Sequence, residues 1–131
     1  MSKAPLIARL LLGLIFFGSG LAGLLNLAPP PADLPENMKL FMAGMMATQY
    51  FFPLLKVTET VCGAFLLSGF YVPLALIVLA PIILNIFLTH AFMAPSGLPL
   101  AIVIGLLEIY LSFFASPFKN TIRTIFVRKE K

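Results

Sequence analysis

Five side chains lie inside otherwise apolar runs and have the chemistry to hold a proton or direct a hydrogen bond there: Lys56, Glu59, Asn85, His90 and Glu108. Lys56 and Glu59 stand three positions apart, share one face of a helix and read as an ion pair. A carboxyl and an imidazole are proton-exchange groups, which casts Glu59 and His90 as a donor–acceptor pair. Lys56 then holds Glu59 ionised, and Glu108 relays or gates. An ionisable group at the centre of a membrane helix costs about 2.5–3.5 kcal/mol and is by default a functional candidate. Each also has a structural alternative. Lys56–Glu59 would staple its helix, Asn85 would join helices, and His90 would sit satisfied at the interface.

Other chemistries are excluded by residue type. His90 is the sole histidine, which rules out bis-histidine haem ligation within one chain. Glu59, His90 and Glu108 are metal-ligand types, but no E-x-x-H spacing accompanies them and no metal site is expected. Cys62 stands alone, so there is neither an intrachain disulfide nor a CxxC redox pair. No phosphate loop or nucleophile elbow is present. What remains is hydrogen bonding and proton transfer towards a lipid-soluble ligand.

The elements that must position these residues are membrane spans. The 131 residues are 60% hydrophobic and 11% charged, with mean hydropathy +1.04, whereas a soluble domain is about 25% charged. A span needs about 20 mostly apolar residues, and four segments qualify, near 5–27, 53–70, 72–92 and 98–115. Short connections make sequential helices antiparallel, so the expected fold is an all-α, four-helix up-down membrane bundle within 1–118. The stretch near 34–52 is too short to cross, and Asp33 and Glu36 have capping-box spacing. It reads as an interfacial helix with Met38, Phe41, Met42 and Met45 on one side. Small residues at Gly18/Ala22 and Ser19/Gly23 permit close helix approach, within the chain or between copies, leaving a homo-oligomer open. Pro81 is expected to kink the third span.

Lys3, Arg9, Lys119, Arg123, Arg128, Lys129 and Lys131 gather at one side, opposite Lys39. By the positive-inside rule both termini face the cytoplasm, with 119–131 as a basic tail. The positive charge does not form a stripe with interleaved aromatics, so nucleic acid is not an expected partner. The apolar stretch Leu10–Leu25 exceeds the usual ~7–15-residue signal-peptide core and reads as a retained span. At about 1.5 Å per residue, Glu59 lies about 9 Å below the far surface, Asn85 about 10 Å, His90 about 3 Å and Glu108 near the midplane. A polar cavity open to the outer face is therefore expected. Asn85 and His90 lie about 140° apart on an ideal helix. Glu108 either reaches the cluster or stays protonated.

Several stretches together resemble the DoxX family of small four-span bacterial membrane proteins. They are Arg9-Leu-Leu-Leu-Gly-Leu-Ile-Phe-Phe-Gly-Ser-Gly20, Lys56-Val-Thr-Glu59-Thr-Val-Cys-Gly63 through Gly69, and Pro81-Ile-Ile-Leu-Asn85 through His90. Pro95-Ser-Gly-Leu-Pro99 and Leu107-Glu108-Ile-Tyr110 complete the likeness. Family members often carry Lys or Asn where this chain has Leu21-Ala22. The resemblance implies a place in the bacterial cytoplasmic membrane and a link to redox enzymes, including thiosulfate:quinone oxidoreduction. It also implies Arg9, Glu59, Asn85, His90 and Glu108 as site positions. The expected function is an accessory component of a membrane redox system, binding a quinone or another small lipid-soluble molecule. The alternatives are a non-catalytic scaffold or assembly factor and a small proton-coupled transporter with Glu108 as the coupling acid.

Overall fold

A computed structural model describes residues 3–27 and 34–125. Its helices are α1 (Ala4–Leu24), α2 (Glu36–Ala47), α3 (Phe51–Ser68), α4 (Val72–Phe92), α5 (Leu98–Ile109) and α6 (Ser116–Ile125). A 3-10 turn, Pro95–Gly97, precedes α5, and a π-helical segment, Tyr110–Phe114, follows it. Four helical stretches, α1, α3, α4 and Pro95–Phe114, are long and apolar enough to cross a membrane. The expected all-α, four-span bundle is the fold. Leu14, Leu54, Leu84 and Leu106 point outwards on it, one from each span. An apolar surface of that extent suits lipid rather than water.

Local chemistry sets the helix ends. Asn26 takes the left-handed conformation (φ 52°) after α1, and Leu27 N–H bonds back to Ala22 O at 3.0 Å, a Schellman closure. Thr48 couples α2 to α3: its hydroxyl donates to Met45 O (2.8 Å) and accepts from Phe51 N–H (2.9 Å). The helix expected near 34–52 thereby ends at Ala47. Asp33, half of the expected capping box, lies outside the described residues, and Pro35 occupies the N-cap of α2. Gly69 (φ +86°) ends α3, a conformation that suits a residue without Cβ. α4 runs as one helix through Pro81, whose ring faces outwards.

The tightest packing joins α1 to α3, antiparallel, through glycines. A Cβ on Gly20 would fall 2.7 Å from Thr60 N and 2.8 Å from Lys56 O. One on Gly63 would fall 2.7 Å from Phe17 Cα, and one on Gly13 2.9 Å from Leu66 Cβ. Backbones approach this closely only where side chains are missing, and in lipid such packing drives association. The expected small-residue face holds at Ser19 and Gly23 and fails at Gly18. Gly13, Gly20, Gly23 and Gly63 form the contact, while Gly18 faces open space. Leu12, Phe16, Leu66, Leu76, Leu79 and Leu111 fill the core behind it.

One element goes beyond the expectation. The start of the basic tail is α6, an amphipathic helix that buries Ile122 and packs Phe118 against the core, four residues apart on one face. Arg123 stays exposed on it. Residues 126–131, with Arg128, Lys129 and Lys131, lie outside the described part of the chain.

Candidate functional site

Polar groups inside the spans collect around two cavities rather than one. The first lies at the α2 end of the bundle and measures about 520 Å³, with Ser19, Gly23, Asn26, Met42, Met46 and Lys56 in its wall. Lys56 reaches it because Gly23 lacks a side chain. A Cβ there would sit 2.5 Å from Lys56 Cδ and 2.7 Å from Cε, so the lysine stem lies across the bare backbone of α1. The ammonium is held between Glu59 Oε2 at 3.0 Å and Ser19 Oγ at 3.3 Å. It also lies 5.5 Å from the centroid of the Phe52 ring, within cation–π range. The sequence-predicted Lys56–Glu59 pair is present. Glu59 is the buried member, its side chain 5% exposed against 16% for Lys56. Lys56 therefore faces the cavity, and Glu59 stands behind it as counter-ion.

The second cavity, about 460 Å³, lies between α4 and α5. Glu108 lines it, 6% exposed, and Ser112 Oγ donates to its Oε2 at 2.6 Å. Oε1 is buried and takes no hydrogen bond from the described residues. Ser112 sits in the π-helical segment, where Ala115 N–H bonds to Tyr110 O at 2.9 Å. Such wide turns often mark functional positions within helices.

The remaining candidates lie apart from these cavities. His90, near the C-terminus of α4, donates from Nδ1 to Ile86 O at 2.8 Å and packs against Gly97, where a Cβ would meet Nε2 at 2.6 Å. Asn85 is exposed on the outward stripe of α4 with Pro81 and Leu88 and lines neither cavity. Arg9, at the opposite end, lays its guanidinium over Gly69, where a Cβ would fall 2.5 Å from one terminal nitrogen. That position favours a cation, because it lies beside the C-terminal, negative end of the α3 dipole. Among the described residues no three His, Cys, Asp or Glu side chains gather closely enough to hold a metal ion.

Sequence reasoning missed Ser19, Phe52 and Ser112 as polar or aromatic partners. Ser112 was findable, since it stands four residues after Glu108 on the same helical face. Ser19 was read only for its small size, and its link to Lys56 depends on the register of α1 against α3.

No curated protein and no solved structure matches the chain. The DoxX family model matches residues 4–91, from the start of α1 to the penultimate residue of α4, stopping short of the span that carries Glu108. That match covers well over half of the sequence and includes the glycine-packed α1–α3 pair with Lys56 and Glu59. By this evidence the chain, an integral membrane protein, belongs to the DoxX family.

Proposed function

We propose that the chain is an accessory component of a bacterial cytoplasmic-membrane redox system, and that the cavity at the α2 end binds a quinone or another small lipid-soluble molecule. One observation carries this reading. The Lys56 ammonium is fixed at the wall of a roughly 520 Å³ cavity by Glu59 and Ser19. An ammonium has three N–H donors. Ser19 and Glu59 take two sides of it, which leaves a donor for a carbonyl oxygen in the cavity. Met42 and Met46 supply a soft, adaptable wall of the kind that accepts an apolar ring or tail. The volume falls within the ~300–1,000 Å³ of small-molecule sites.

In this account Lys56 hydrogen-bonds the ligand and Glu59 keeps the lysine charged and in place. A proton passing to a reduced head group would leave from Nζ and be replaced from water at the cavity mouth, with Glu59 favouring the recharged ammonium. Electrons come from the partner enzyme. His90 and Glu108 line neither wall of this cavity, so they have no direct contact role in it. The basic residues Lys3, Arg9, Lys119 and Arg123 support an orientation with the termini in the cytoplasm, which turns the cavity outwards. Asn85, a polar group on a lipid-facing stripe, supports docking of a partner's membrane helix there.

Titration of the purified protein with ubiquinone and menaquinone analogues tests the reading. Saturable binding that weakens in Lys56→Met is expected. No binding by the wild type, or unchanged binding by Lys56→Met, overturns it.

The contact between Lys56 and Ser19 favours a second reading, since it ties α3 to α1. A purely structural staple would do the same without a ligand. A variant that restores stability while removing both charges separates the two readings.

A further inference from the structure

The cavity between α4 and α5 lies outside this proposed function and carries a buried acid, Glu108, one of whose oxygens has no hydrogen-bond partner among the described residues. Its walls are apolar, from Ile77, Leu84 and Phe87 on one side to Leu106 and Ile109 on the other. These residues are also exposed on the lipid-facing surface, so the cavity opens sideways into the bilayer. At its floor Glu108 directs one oxygen to Ser112 and leaves Oε1 buried and unpartnered. Buried polar groups in proteins are almost always satisfied, and an orphan signals a missing partner.

A second feature points the same way. Gly105 lines this cavity, and a Cβ built on it would meet no atom within 4 Å. The glycines of the α1–α3 contact are there because backbone crowds them. Gly105 has no such neighbour, and glycine inside a helix is unfavourable. Its missing side chain leaves room beside Glu108, three residues further along α5 and on the same face.

We propose that this cavity is a second binding site, for a membrane-dissolved lipophile bearing a single hydroxyl, with its apolar body between α4 and α5 and its hydroxyl on Glu108 Oε1. A hydroxyl both donates and accepts, so it satisfies Oε1 whether the acid is ionised or protonated. A plain acyl chain fills the same space and leaves the oxygen orphaned. A charged head group would have to shed its water to reach a site about 15 Å from the start of α5. The proposal is independent of the Lys56 cavity and stands or falls without it.

Photolabelling of the full-length protein in lipid nanodiscs tests it, with two probes compared: a diazirine-bearing hexadecanol and the matching diazirine-bearing hexadecane. Labelled peptides are mapped by mass spectrometry. The alcohol should label α4 and α5 about tenfold more than the hydrocarbon, as one hydrogen bond to a charged or strongly polar group predicts. Glu108→Leu should erase the preference while keeping hydrocarbon labelling. Gly105→Leu should block both probes by filling the space, and its Cβ would meet no atom within 4 Å. Equal labelling of the wild type by the two probes would mean that the cavity holds acyl chains only, and the proposal fails. It also fails if Gly105→Leu leaves alcohol labelling of α4 and α5 intact, a test that does not depend on how Glu108→Leu folds.

Discussion

Removing Lys56 should harm the protein more than removing the charge of Glu59, and removing both should harm it least. The asymmetry follows from exposure: the Glu59 side chain is 5% exposed and Lys56 16%, with the cavity beside it. In Lys56→Met a buried carboxylate is left on α3 without its cation. Stranding a fully buried charge costs about 3–5 kcal/mol. In Glu59→Gln the stranded group is the lysine. It keeps Ser19 Oγ at 3.3 Å and the Phe52 ring, and its long stem can swing its head into the cavity. That places its cost lower, at about 1–3 kcal/mol. Lys56→Met with Glu59→Leu strands nothing and should fall within about 1 kcal/mol of the wild type, because apolar replacement of a buried pair is often neutral. Unfolding by SDS from maltoside micelles measures all four proteins. The chain has no tryptophan, so helix content by circular dichroism is the readout. If Glu59→Gln is the worse single variant, or if the double variant loses as much as the two singles together, the assignment of Glu59 as buried counter-ion is wrong.

Gly20→Ala should destabilise the bundle by about 1–3 kcal/mol in the same assay, since its Cβ meets Thr60 N and Lys56 O, backbone atoms that must move apart. Gly18→Ala, facing open space, should be neutral or gain up to about 1 kcal/mol. Gly69→Ala should cost about 1 kcal/mol through its positive φ, and the same Cβ would displace the Arg9 guanidinium. Ser112→Ala should cost about 1–3 kcal/mol by leaving a second oxygen of Glu108 without a partner.

The spans were legible because a bilayer demands long apolar runs, and α4 begins and ends where its hydropathy does. The Lys56–Glu59 pair was legible because spacing along one helix fixes it. What could not be read were the relations between helices. The sequence places Lys56, Glu59, Asn85, His90 and Glu108 at overlapping depths, but depth says nothing of rotation. Helix packing turns Glu59 inwards and Asn85 outwards, so the expected cluster is divided between two cavities, with Asn85 and His90 lining neither. α6 was hidden for another reason. Its basic residues read as a tail, although Phe118 and Ile122 four positions apart already carried a helical face.

The central claim is that Lys56 fixes a lipid-soluble ligand at the α2 end, and the double variant Lys56→Met with Glu59→Leu tests it most directly because its stability should match the wild type. Binding of a short-chain ubiquinone analogue is measured on both proteins in the same micelles. The account predicts saturable binding to the wild type and at least about tenfold weaker binding to the double variant, the loss of one charged hydrogen bond. Equal binding by the two proteins, or none by the wild type, contradicts it and leaves the ion pair as a staple between α1 and α3.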